Sequence, residues 1–121
     1  MNKPHFSAAR RAGDFVFVSG QLPFDNDMQI VSGDIVVQTQ VVLNNIAVAL
    51  ATVDCGLEDV VKTMVWLKDP DDFPGFNATY AEFFPNHPPA RATVGSQLMV
   101  EGALIEIEAV AHKPGQDVGS V

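Results

Sequence analysis

Eight consecutive residues, Val60 to Leu67, alternate with a period of two, and no other stretch limits the possible folds as much. Side chains along a strand point to opposite faces in turn. Val61, Thr63, Val65 and Leu67 therefore share one face, and Lys62, Met64 and Trp66 share the other. The second face is too apolar for plain contact with water, so something covers Met64 and Trp66, and another subunit is the simplest candidate.

Helical spacing supplies the cover for the first face. Ser32-Gly33-Asp34 opens the longest helical segment, with Asp34 as N-cap. Thr39, Leu43, Ile46, Ala47 and Leu50 form its buried stripe, while Asn44 and Asn45 belong to its polar face. The helix is expected to run to about Cys55, with Gly56 as its left-handed stop and Cys55 as a small packing residue. Asp69-Pro70-Asp71-Asp72 reads as a turn and helix start. Phe73, Phe76, Tyr80 and Phe83 then follow as the stripe of a second amphipathic helix, read as core. Pro85, Pro88 and Pro89 end that helix.

Two strands are expected before the first helix: Phe15 to Gly20, and a short one from Met28 to Val31 after a turn at Phe24 to Asp27. Gly20 ends the former, and a glycine there also lets a ligand approach the backbone. Two more close the chain. Arg91 and Thr93 share one face of the segment after Pro89, and Glu106 and Glu108 share one face of Ile105 to Ala109. With Glu101-Gly102 in a hairpin connection, Arg91 and both glutamates project from one side of the sheet. Two readings stand: a surface ion-pair ladder, or a site in which Arg91 grips a carboxylate and a glutamate manages a proton. The element order is β-β-α-β-α-β-β, an α+β sheet with helices on one face.

Composition narrows the function. At 121 residues the chain is read as a single domain, 1–121, with a frayed tail at about 114–121. Its net charge of -8 argues against general affinity for nucleic-acid backbones or anionic membranes. A single cysteine excludes an intramolecular disulfide, and the start, Met1 to His5, lacks the apolar run of a signal peptide. No apolar stretch reaches membrane-spanning length, and the expected location is the cytoplasm. His5, His87 and His112 show no metal-ligand spacing, and no Gly-x-Gly-x-x-Gly, Walker or serine-elbow pattern is present.

Phe17-Val18-Ser19-Gly20-Gln21-Leu22-Pro23, Gly33-Asp34-Ile35 with Gln38-Thr39, and Val42-Leu43-Asn44-Asn45 resemble the RidA/YjgF family. So do Val60-Val61-Lys62-Thr63, Phe76-Asn77-Ala78-Thr79-Tyr80 with Phe83-Phe84, Pro89-Ala90-Arg91, and Ile105-Glu106-Ile107-Glu108-Ala109. The resemblance runs from about Phe6 to His112 and implies a chorismate-mutase-like fold. It also implies a homotrimer whose sheets form a central barrel, with ligand clefts between subunits. The implied activity is hydrolysis of reactive enamines and imines, such as 2-aminoacrylate and 2-iminobutanoate, to 2-keto acids and ammonia without metal or organic cofactor.

In that resemblance Arg91 matches the arginine that binds the substrate carboxylate, and Glu106 the glutamate associated with the attacking water. Gly20 and Asn77 match positions near the cleft, and Glu108 is left as a structural or ion-paired residue. Two positions depart from the pattern. Thr93 stands where the family often has cysteine, and Phe6 where it often has tyrosine, so the thiol and the phenol hydroxyl are both missing at the substrate-binding surface. The departures suggest a specialised branch. A deaminase dedicated to one aminomuconate or aminoacrylate intermediate, and a non-catalytic trimer that senses a 2-keto acid, are the alternatives.

Overall fold

The structure is a computed structural model and describes residues 5–115. Residues 116–121, most of the expected frayed tail, lie outside the described residues. Five strands, β1 (Ala9–Ala12), β2 (Phe15–Gln21), β3 (Val60–Leu67), β4 (Ala90–Gly95) and β5 (Ile105–His112), form one mixed sheet in the order β1-β2-β5-β3-β4. The helices are α1 (Ile35–Ala51) and α2 (Phe73–Phe83). β3 takes the bounds its alternation predicts, but a register shift between Val60 and Lys62 buries Val60 and leaves Val61 45% exposed, so Val61 does not share the core face with Thr63, Val65 and Leu67. The strand lies between β5, antiparallel, and β4, parallel.

That placement overturns the expected hairpin. β4 and β5 do not pair, because β3 sits between them. The crossover through α2 brings β4 back parallel to β3, as a strand–helix–strand connection does. The expected pair of N-terminal strands is also revised. Met28 to Val31 contributes only an isolated bridge, Phe24 to Ile30. The strand that precedes α1 alongside β2 is instead β1, which pairs antiparallel with β2 through a turn where Gly13 has φ +62°. Ala9-Arg10-Arg11-Ala12 lacks β-branched residues, and its extension comes from pairing at the sheet edge.

α1 begins where expected, with the Asp34 carboxylate accepting from the Val37 amide at 3.0 Å. It ends earlier than expected, at Ala51, and the left-handed residue beyond it is Asp54 at φ +61°. Gly56 is extended at φ -132° and is no helix stop. Aspartate tolerates the left-handed region better than most residues, so a non-glycine can take this position.

Both helices pack on one face of the sheet. Leu43, Ile46 and Leu50 of α1 and Phe76 and Tyr80 of α2 share one core with Val16, Val18, Val65, Ile105 and Ile107. Cys55 is buried in the same cluster, in its expected packing role. Two amides fasten the loops to this core. Gln38 Nε2 donates to the Val31 and Gly102 carbonyls, both at 3.0 Å, and its Oε1 accepts from the Leu104 amide at 2.7 Å. Asn45, expected on the polar face, donates to the Leu22 and Phe24 carbonyls, each at 3.1 Å.

Thr63, on the core face of β3, shares a 2.7 Å hydrogen bond with the Tyr80 hydroxyl. Tyr80→Phe leaves the Thr63 hydroxyl buried without that partner and is expected to cost about 1–3 kcal/mol. Urea denaturation reads the loss directly, and unchanged stability would mean that Thr63 finds another hydrogen-bond partner.

Among the described residues, no helix lies on the opposite face of the sheet. Phe15, Phe17, Met64, Trp66 and Val110 lie on it, and Phe15 and Phe17 are 45% and 49% exposed. The apolar second face expected from β3 therefore extends over β2 and β5.

Candidate functional site

The expected site residues fall into two groups on opposite faces of the sheet. β4 pairs with β3 so that Arg91 is opposite Thr63 and Thr93 opposite Val65, both core-facing partners. Arg91 thus points to the helix-bearing side. Its guanidinium carbon lies 4.8 Å from the Tyr80 ring centre, 5.2 Å from Phe76 and 5.6 Å from Phe73, all on α2. Its Nη1 donates to Asn77 Oδ1 at 2.9 Å. The expectation that Arg91 shares a face with Glu106 and Glu108 is therefore wrong within one chain. It assumed that β4 and β5 were neighbours in a hairpin.

The first group borders a groove of about 400 Å³ lined by Asn77, Tyr80, Phe84, Pro88, Pro89 and Arg91. No carboxylate among the described residues pairs with Arg91. Among the described residues the single ion pair is Lys113 to Asp54 at 3.9 Å, which removes the ion-pair-ladder reading. Of the five guanidinium N–H donors, the one on Asn77 is the only one with a protein partner among the described residues. A stacked, half-buried guanidinium with free in-plane donors suits a bidentate oxyanion. Thr93 follows on the same strand face, and its hydroxyl is buried without a partner.

The second group lies on the open face. Glu106 is opposite Trp66 and Glu108 opposite Met64. A bulge in β2 between Val18 and Gln21 shifts the register against β5 and turns Gly20 toward this face. A Cβ at Gly20 would overlap the Glu106 carboxylate, so glycine leaves the space that this carboxylate occupies. Phe6, 62% exposed, borders a groove of about 510 Å³ on this side with Arg10, Phe17, Ser19 and Glu108.

Burial raises the Glu106 pKa above the ordinary glutamate value, and the nearby Glu108 charge raises it further. The native carboxyl then holds its proton to higher pH than the unfolded one. Through that window the native state binds more protons, so stability falls as pH rises. A base needs the ionised form, so a rate that depends on Glu106 rises with pH through its elevated pKa. Glu106→Gln is expected to flatten both profiles, read by thermal melts and by kcat across acidic pH. Profiles identical to the parent would remove Glu106 as the titrating group.

Sequence reasoning missed the part played by α2. Phe73, Phe76 and Tyr80 read as a core stripe, and two of them are buried, yet all three rings also bracket Arg91. The α2 spacing held this signal, but only the parallel pairing of β4 brings the arginine to it. Among the described residues, no group of three or more His, Cys, Asp or Glu side chains is arranged to hold a metal ion.

A family model described as Endoribonuclease L-PSP matches residues 2–113. The chain belongs to the RidA/YjgF family. A RutC family protein of Pyrococcus horikoshii is 45% identical to it over 109 residues, covering 89% of this chain and 86% of the relative. The 3-aminoacrylate deaminase RutC of Acinetobacter baylyi is 42% identical, over 86% and 83% of the two chains. RidA/YjgF architecture is equally evident in three dimensions. The YjgF gene product of E. coli superposes with a TM-score of 0.80 at 33% identity, over 87% of this chain and 85% of that one. Yeast Mmf1 superposes at 0.87 with 35% identity, over 93% and 90%.

Proposed function

We propose that this chain is an enamine/imine deaminase that hydrolyses small 2-imino and 2-enamino acids to 2-keto acids and ammonia. The observation that carries the reading is Arg91, a ring-stacked guanidinium in a groove with a single protein hydrogen bond among the described residues. It fixes the substrate carboxylate and so sets the orientation of the reacting carbon. Glu106 takes a proton from a water that attacks the imine carbon. The proton passes to nitrogen, and collapse of the carbinolamine forms the carbonyl and releases ammonia. A protonated imine is electrophilic enough to need no cofactor.

Arg91 and Glu106 stand on opposite faces of one sheet, so the full site in this reading forms between copies of the chain. Arg91, Asn77 and Thr93 come from one copy, and Gly20, Glu106 and Phe6 from its neighbour. A homotrimer with its open sheet faces turned inward as a barrel supplies that juxtaposition and covers Phe15, Phe17 and Trp66. The -8 charge favours a small anion held locally over a nucleic-acid backbone, whatever the family description suggests. In this reading the chain is one domain and acts in the cytoplasm.

The test generates 2-iminobutanoate and 2-aminoacrylate in situ with an amino-acid oxidase or dehydratase while semicarbazide competes for the imine. Suppression of semicarbazone formation by the protein supports the reading. Equal semicarbazone yield with and without it would reject general deamination. A 3-aminoacrylate arm tests the narrower assignment that the Acinetobacter relative favours. Keto-acid binding with no turnover in any arm would indicate a sensor.

A further inference from the structure

One member of the α2 stripe does not behave as core. Phe76 and Tyr80 are 0% and 5% exposed, whereas Phe73, the first residue of α2, is 39% exposed. Its ring centre is 6.1 Å from that of Phe76, and its face is turned to the Arg91 guanidinium. A ring left part in water forgoes some of the burial it could gain, so packing against Phe76 is not the whole reason for its place. Its geometry toward Arg91 accounts for it better.

Resting on the assignment of Arg91 to the substrate carboxylate, we infer that Phe73 is a positioning residue for that arginine. With Phe76 and Tyr80 it makes a three-ring cradle that holds the guanidinium plane by cation–π contact. Asn77 adds the one hydrogen bond that fixes rotation within that plane. The remaining N–H donors stay free in the groove, already ordered before a ligand arrives. Pre-ordering matters because an arginine side chain otherwise loses rotamer entropy when it binds. Tyr80 suits the cradle as a neutral phenol: burial raises its pKa above the ordinary value, outweighing the Thr63 hydrogen bond and the Arg91 charge that lower it. The ligand class served is a planar carboxylate next to an sp² carbon, as in a 2-imino or 2-keto acid.

Phe73→Leu removes the ring but keeps apolar volume, and Phe73→Tyr keeps the ring. Binding of 2-oxobutanoate, the keto product, is followed by calorimetry. In the free protein, the Arg91 Nε–H resonance is followed by nitrogen-edited NMR for its ring-current shift. The expected result is about a twofold to fivefold weaker Kd in Phe73→Leu, restored in Phe73→Tyr, with the Arg91 resonance losing part of its shift only in the leucine variant. Wild-type affinity in Phe73→Leu overturns the inference, and so does equal weakening in both variants, which would mark a packing role. If the parent protein itself fails to bind 2-oxobutanoate, the Arg91 assignment falls, and this inference with it.

Discussion

Arg91→Ala is expected to lower kcat/KM for 2-iminobutanoate by about 30-fold to 1,000-fold, the range seen when one partner is removed from a charge pair that the bound ligand would close off from water. The size of the effect comes from how the arginine is held. Three rings bracket its guanidinium, one hydrogen bond to Asn77 orients it, and no carboxylate neutralises it. Its charge therefore has no carboxylate partner among the described residues and is available to a ligand. The same isolation keeps the structural cost small. The alanine variant loses cation–π contact worth about 0.5–1 kcal/mol at a site this exposed, while Asn77 turns to water. Melting should shift by only a few degrees, so lost turnover would be a site effect. Arg91→Lys separates charge from shape: it restores attraction without the planar fork, and recovers only part of the binding. A well-folded alanine variant that turns over imine at the parental rate would remove Arg91 from the mechanism.

How much of this was legible beforehand depends on whether the information was local. The bounds of β3 are legible because period-two alternation is carried by the strand's own residues, but the bulge that turns Val61 out of the core depends on pairing with β5 and is not. The start of α1 is legible in the same way as those bounds, since Asp34 caps a helix within three residues of itself. The faces of Arg91 and Glu106 were not legible. The alternation within β4 and within β5 is legible in their own residues, but the relative placement depends on which strands are neighbours. The order β5-β3-β4 arises from a crossover through α2, and no residue between Gly95 and Ile105 records it. A loop that looks like a hairpin connection can instead carry the chain across a third strand. β1 was missed for a related reason, because its extended form is imposed by β2. The glycine beside Glu106 was noticed as a position open to close approach. Its actual neighbour, a carboxylate, depends on a bulge that shifts the β2 register.

That bulge makes Gly20→Ala the second large effect, because a single methyl group takes the place of the Glu106 carboxylate. Gly20 is not among the glycines at positive φ, so the backbone accepts alanine without strain. The atoms the new methyl meets are the flexible end of Glu106, not backbone, so the fold yields by moving one side chain. Stability should change little, with a slight rise expected because alanine restricts the unfolded chain more than glycine does. Activity should not survive as well. A displacement of about 1 Å in a catalytic group costs about 100-fold in rate, and here the group displaced is the base. Glu106 would also move into a different degree of burial, which shifts the acid limb of the rate profile. The decisive comparison sets Gly20→Ala, Glu106→Gln and the double variant side by side. If the glycine acts through the carboxylate, the double variant is no slower than the slower single one. Multiplying effects would mean that Gly20 serves the reaction by another route, and a fully active Gly20→Ala would show that the position of the Glu106 carboxylate does not limit the rate.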